Sequence, residues 1–356
     1  MNWSKVRWLL IICLCLADLL LGLLLWRNYR GENTVSRTAI EDAAALLAEA
    51  DVRLDPAVVP AEVIRDHVFR ITVSDNIFRS AYSELVGSSV KSAYMLPASS
   101  GMSLLFENGD SVEYYHNLYM VYTHSGEDRE QYSAMVSDFS AGSAGFLPLD
   151  RAAAEDDILA AETFLSVLTS GDSSDARLRP RLDRLCSVKG QDTLRLAVFR
   201  EEIVYRGSGR SAADIYGTEL IVLIDRGRIL YMSGTWVPFL PDETYSLKKM
   251  DQLIILFSER KRHMQLRSEG EAEGGGHAMQ HTDNGCEIVS MERLYYMLWD
   301  DTGMLYLRPS WLLGYRLEQE DRSLIHREIL CDGVTGNVVA QKDTVSAAAN
   351  GNTGNA

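Results

Sequence analysis

The 356 residues contain no G-x-S-x-G elbow, so the sharp strand-to-helix turn that presents a serine nucleophile in many hydrolases is not signalled. Cysteine is scarce. Of five, Cys13 and Cys15 lie in an apolar run, and Cys186, Cys286 and Cys331 are widely spaced and odd in number, which gives no disulfide framework. Positive charge is also short, with 35 Lys+Arg against 50 Asp+Glu and a formal charge of −15. Four of the basic residues, Lys5, Arg7, Arg27 and Arg30, flank the apolar run. The remainder is therefore more acidic still and repels phosphate backbones and anionic headgroups, so nucleic acid is not an expected partner. The Gly-rich stretch "GSGRSA" at 207–212 is not followed by an apolar helical stripe, and reads as a strand connection rather than a phosphate-cradling loop.

What is present in quantity is apolar. From Trp8 to Trp26 there are 19 residues, which as a helix span about 28 Å, close to the hydrocarbon thickness of a bilayer. No small-x-small cleavage site follows, since "LLLWRNYRGE" is bulky or charged, so an uncleaved transmembrane helix over 8–26 is expected rather than a signal peptide. The expected topology is a single pass with the N-terminus cytoplasmic and the C-terminal domains extracytoplasmic at the cell membrane. Within the run sits one carboxylate, Asp18, and an ionisable group near mid-bilayer costs roughly 3 kcal/mol. Either a partner helix hydrogen-bonds it, or the leucine-rich surroundings tolerate one protonated acid. Leu14, Asp18, Leu21 and Leu25 share a helical face, so a helix bound to Asp18 would also touch those leucines.

Beyond residue 30 the expected class is α+β, with two or three helix-on-antiparallel-sheet units behind the membrane helix. The N-terminal segment is 1–30 and the first unit 31–149. That unit holds a helix with Ile40, Ala44 and Leu47 in register and a hairpin at Asn108-Gly109. The second unit, 150–241, begins with Asp150 capping a helix whose stripe is Ala154, Ile158, Ala161, Leu165 and Leu168, and includes a hairpin turning at Asp225–Arg228. The third, 242–342, opens with Leu247, Met250, Ile254 and Phe257 on one helical face and carries a flexible Gly-rich insertion at 267–284. Its closing strands turn at "DGVTGN", and 343–356 is expected to be a disordered tail.

Chemistry is thinly signalled. His277, His281 and Cys286 form an H-x3-H-x4-C spacing, the nearest approach to a metal-ligating set, but they fall in or beside the Gly-rich insertion and lack an obvious fourth ligand. A solvated loop is the simpler reading, and no metal, cofactor or catalytic residue is expected. Asp156-Asp157 complements a helix N-terminus, and Asp300-Asp301 precedes Thr302-Gly303 in a turn composition. The aromatic clusters "SVEYYHNLYMVYTH", "MERLYYMLWDD" and "RPSWLLGYRL" read as strand cores, any exposed part being available to a partner protein.

Both ends of the chain resemble the YycI family. At the start, Asn2, Trp3, Lys5 and Asp18 occupy the places of an acid or amide, a tryptophan, a basic residue and the single polar interruption of the membrane run. At the end, Pro309 and Trp311 enter a strand and an Asp332…Thr335-Gly336 turn follows, a pattern shared with PepSY-like modules and YycH relatives. The resemblance implies a bitopic, non-enzymatic protein that acts with a YycH-like partner on an essential cell-wall-sensing histidine kinase of the WalK/YycG type in Gram-positive bacteria. The alternative with the same topology is a bitopic scaffold of envelope, division or secretion machinery.

Overall fold

The computed structural model describes residues 35–49, 52–60, 67–71, 75–97, 100–168, 176–205, 212–237, 243–246, 286–300, 304–318, 324–333 and 335–346. In chain order the elements run α1 (Arg37–Ala48), β1 (Val52–Leu54), β2 (His67–Ile71), α2 (Asp75–Val86), β3 (Val90–Met95), β4 (Gly101–Phe106), β5 (Ser111–Tyr115) and β6 (Tyr119–Thr123). Next come α3 (Arg129–Ser140), β7 (Phe146–Pro148), α4 (Glu155–Leu168), β8 (Ala176–Val188), β9 (Gln191–Tyr205), β10 (Ala213–Tyr216), β11 (Glu219–Asp225) and β12 (Arg228–Thr235). The chain closes with β13 (Glu243–Ser246), β14 (Cys286–Trp299), β15 (Leu305–Glu318), β16 (Leu324–Asp332) and β17 (Val338–Ser346). It divides into two compact units, one of Met1–Asp66, Ser246–Glu292 and Pro309–Ala356, the other of His67–Tyr245 and Arg293–Arg308.

The second of these units is built from two similar runs. Helix α2 is followed by the antiparallel meander β3–β4–β5–β6, and α4 by β8, β9, β11 and β12, neighbours in the order β8–β9–β11–β12. The runs are joined where β6 pairs antiparallel with β12, from Tyr119↔Thr235 to Thr123↔Tyr231. Both helices cover one face: Phe78, Tyr82 and Leu85 of α2, and Ile158, Ala161, Leu165 and Leu168 of α4, share a core with Leu104, Val112, Phe199 and Met232. The other face is covered in part by α3, whose Tyr132, Met135, Val136 and Phe139 pack on Val121, Leu196, Val198, Leu223 and Leu230. Apolar cover on both sides explains why "LIVLI" at 220–224 is continuous rather than alternating.

Local chemistry sets the connections. Asp150 accepts the Ala152 amide at 3.1 Å and caps a 3-10 turn, Arg151–Ala154, that leads into α4. The β11–β12 hairpin turns through Arg226 (φ 49°) and Gly227 (φ 76°), left-handed at both central positions as the right-handed twist of a two-residue hairpin requires. Asp157, in the first turn of α4, accepts the Gly227 amide at 2.6 Å and ties that turn to the helix.

In the other unit α1 lays Ile40 and Leu47 into a core with Val52, Leu54, Ile288, Trp311, Leu313 and Ile329. Strand β1 runs parallel to β14, Val52 facing Cys286, while β15–β16 and β16–β17 are antiparallel. Trp311 is fully buried. At the β16–β17 turn Asp332 Oδ1 accepts the Thr335 amide at 2.9 Å, and Gly336 takes φ 72° as its amide returns to the Asp332 carbonyl.

The expected fold class is corrected by these pairings. The helix-plus-strands segments do not stand as separate helix-on-antiparallel-sheet units, because β6 and β12 merge two of them in one sheet. Strand pairing is moreover mixed within each unit, β10–β14 being parallel in the unit that holds β6 and β12, and β1–β14 in the other. The physical reason is the doubly apolar character of β6, β9, β11 and β12: largely buried on both faces, they leave no solvated side on which an isolated two-layer unit would end. Among the described residues no helix is long and apolar enough to cross a membrane, and the run 8–26 lies outside them.

Gly234 marks the tightest point of the central pairing. Its φ is 148°, and a Cβ there would stand 2.0 Å from the Glu219 carbonyl oxygen. Gly234→Ala is expected to lower stability by about 2 kcal/mol or more, read as a shifted urea midpoint with unchanged slope.

Candidate functional site

The described residues bring a carboxylate, an imidazole and a phenol together at one place, the ends of the β4–β5–β6 meander. Asn108-Gly109 turns the chain, with Gly109 at φ 90° and its amide bonded to the Phe106 carbonyl at 3.0 Å, and this rotates Asp110 inward. Its side chain is only 5% exposed. Oδ1 accepts the Ser125 amide at 2.8 Å and stands 3.0 Å from His124 Nδ1, while Oδ2 accepts from Tyr122 Oη and Asn108 Nδ2, both at 3.0 Å. A carboxylate offers about four acceptor positions, so these four donors use its capacity. The His124 amide also donates to the Leu230 carbonyl at 2.9 Å, extending the brace to β12.

Burial, and then the Asp110 charge and hydrogen bond, push the Tyr122 phenol well above its ordinary range, so Tyr122 stays a donor and not a phenolate. A related arrangement lies one strand away. Tyr114 Oη donates to Asp75 Oδ1 at 3.0 Å, and His116 Nε2 is 3.6 Å from the same oxygen. Burial, followed by Asp75, likewise raises the Tyr114 phenol. In both cases a Tyr-x-His strand end shares one carboxylate. Chemically the Asp110 cluster holds potential acid and base groups, but Asp110 already occupies His124 and Tyr122, and Ser125 Oγ stands against the turn at Gly109. The geometry is that of a brace fixing the turn to β6.

A second polar array decorates the outer face of β8 and β9. Arg179 pairs with Glu202, Arg181 with Asp214, Arg184 with Glu219 at 3.3 Å, and Arg200 with Asp183 at 3.4 Å. Glu202 is buried, and the other three pairs, more open to solvent, contribute about 0 to 1 kcal/mol each. Their effect is on recognition, because acids already engage these arginines and so weaken their hold on an outside anion.

Of the sequence-predicted residues, Leu14, Asp18, Leu21, Leu25, His277 and His281 lie outside the described residues. Cys286 is described: it opens β14, is 2% exposed, and belongs to the core beside β1. No group of three or more His, Cys, Asp or Glu able to hold a metal occurs among the described residues. Sequence reasoning did not single out Asp110, Tyr122 or His124. Asp110 directly follows the Asn108-Gly109 turn, and the Tyr-x-His recurrence at 114–116 and 122–124 is the available signal.

No family model and no curated protein matches the chain. Among solved structures it is similar to the crystal structure of an uncharacterized protein from Eubacterium rectale ATCC 33656. The identity is 11%, over 81% of this chain and 89% of that one, with a TM-score of 0.40.

Asp110→Ala leaves the buried Tyr122 hydroxyl and the half-buried His124 without their acceptor, together with donors on the exposed Asn108 and Ser125, and is expected to cost about 3 kcal/mol, whereas Tyr122→Phe removes one donor and costs about 1 kcal/mol. Equilibrium urea unfolding of the two variants distinguishes a brace of this kind from a dispensable surface turn.

Proposed function

We propose that this chain is a membrane-anchored extracytoplasmic regulatory protein that modulates a two-component sensor histidine kinase of the WalK/YycG type through protein contacts, together with a YycH-like protein. The observation that carries the reading is the N-terminal stretch. An apolar run of bilayer length has basic flanks, Asn2, Trp3 and Lys5 ahead of it, and one acid, Asp18, in its interior. The resemblance of the closing segment, with Pro309, Trp311 and the Asp332–Gly336 turn, supports it from the other end. The acidic balance favours a protein partner over nucleic acid.

In this mechanism the 8–26 segment lies in the bilayer beside a kinase segment, and Asp18 is its polar contact. The regulator alters signalling by touching the kinase's two signalling states unequally, which needs only about 1 to 3 kcal/mol of differential contact. Leu14, Leu21 and Leu25 supply packing on the same helical face, and Asp18 supplies register.

Asp18→Leu is expected to reduce co-purification of the kinase and to change its output by about tenfold, a size within that coupling range. Unchanged association together with unchanged output removes Asp18 from the mechanism. A depletion phenotype confined to assembly localisation, with signalling intact, replaces the kinase reading by that of an envelope scaffold.

A further inference from the structure

Glu201 is, with Asp110 and Glu202, one of three buried carboxyl groups among the described residues of the unit of His67–Tyr245 and Arg293–Arg308, and unlike Asp110 it is poorly supplied with donors. Alternation along β9 sends Ala197, Phe199, Ile203 and Tyr205 into the helix-covered core, and Glu201 shares their side of the strand. It is 0% exposed. Oε2 accepts the Val237 amide at 2.7 Å, while Oε1 has no hydrogen-bond partner among the described residues, and neither has the buried Nε1 of the adjacent Trp236.

Among the described residues, the groups that meet Glu201 from other elements are uncharged. From α2 comes the phenol of Tyr82, itself raised by burial and then by Tyr114 and Glu201, with its hydroxyl on the Met120 sulfur at 3.9 Å. From the β10–β11 connection comes Thr218, whose Oγ1 receives the Glu201 amide at 3.3 Å and donates to the Ile215 carbonyl at 2.8 Å. After β12 come Trp236 and Val237. The neighbours Arg200 and Glu202 project to the opposite face, where each has its own ionic partner. Burial holds the Glu201 carboxyl well above the ordinary glutamate range, opposed in part by the Val237 amide.

We propose that Glu201 is a proton-operated latch, whose neutral carboxyl holds the Trp236–Val237 segment against β9 and whose ionisation releases it. The step is an acid dissociation: the carboxyl O–H bond breaks, the electron pair stays on the carboxylate, and the proton passes to water. A carboxylate with one amide donor in an apolar core is strongly disfavoured, and the segment that carries this donor is the piece whose displacement lets water reach it. Because the closed form binds the proton more tightly than the open one, the latch's contribution is complete below the ordinary glutamate value. It is lost as pH rises from there toward the raised value of the closed state.

The test is amide hydrogen exchange on the full chain, with Val237 compared against Met232 inside β12 and rates corrected for intrinsic pH dependence. Above about pH 5, protection of Val237 is expected to fall by about tenfold per pH unit within the titration window, and to stay flat in Glu201→Gln. Parallel profiles in the two proteins, or a flat wild-type profile, overturn the latch. Should Glu201→Gln not fold, the carboxyl-carbon NMR signal of Glu201 in the wild-type chain decides instead. Titration well above the other glutamates supports the latch, and titration among them overturns it.

Discussion

The backbone ladder between β6 and β12 is the constraint on which the unit of His67–Tyr245 and Arg293–Arg308 depends. Each of these strands already has a sequence neighbour on its other side, β5 and β11, so the ladder turns two four-strand meanders into one continuous sheet. Continuity then allows α2 and α4 to lie side by side over one shared core instead of capping two small ones, and burial per residue rises with the size of the core. It also leaves the far face apolar over β6, β9, β11 and β12, which α3 covers. Gly234 pairs with Met120 in that ladder, and on its other side Glu219 of β11 approaches too closely for a side chain.

Two buried carboxyl groups within that unit illustrate opposite solutions to one problem. Asp110 is surrounded by donors from Asn108, Tyr122, His124 and Ser125, so its charge is spread over hydrogen bonds that also fix the local chain path. Glu201 has one amide and apolar surroundings, so its stable form is the neutral acid. The first arrangement rigidifies, because removing any partner exposes an unsatisfied group. The second stores a dependence on proton activity, because the same atoms that hold the contact are destabilised when the charge appears.

For the proposed regulatory role, the opening segment and the described units would matter in different ways. The opening segment offers a hydrophobic surface with one polar contact, suited to a neighbouring membrane helix. The described units offer packed cores and a charge-paired outer face on β8 and β9, with Tyr94 and Met95 exposed on β3. Under that proposal the chain would act by unequal contacts with two states of its partner, for which small free energies suffice.

Several elements were legible in the amino-acid order because their signals are short-ranged. The Asn108-Gly109 and Arg226-Gly227 turns follow from φ values that glycine adopts at low cost. The α4 stripe of Ile158, Ala161, Leu165 and Leu168 is a 3.6-residue period, and all four are buried as that period implies. Helices α2 and α3 also carry such stripes, Phe78–Tyr82–Leu85 and Tyr132–Val136–Phe139, yet they were hidden among aromatic strands in a stretch read only as mixed α and β. The Asp110 brace was half visible: the turn was local, but its acceptor role depends on Tyr122 and His124, reached only across the sheet. Glu201 had a parity signal, an acid at a core position between Phe199 and Ile203, but parity does not say which groups lie opposite. By itself the sequence determined the apolar N-terminal run, the acidic balance, the hairpin turns and the amphipathic helices, all properties of neighbours along the chain. Only the tertiary structure decided that β6 pairs with β12, that β1 and β10 run parallel to β14, and that one buried carboxyl is saturated with donors and the other nearly bare. Strand edges present the same unpaired amides and carbonyls to every candidate partner, and the choice among them is made by the side-chain packing of residues a hundred positions apart.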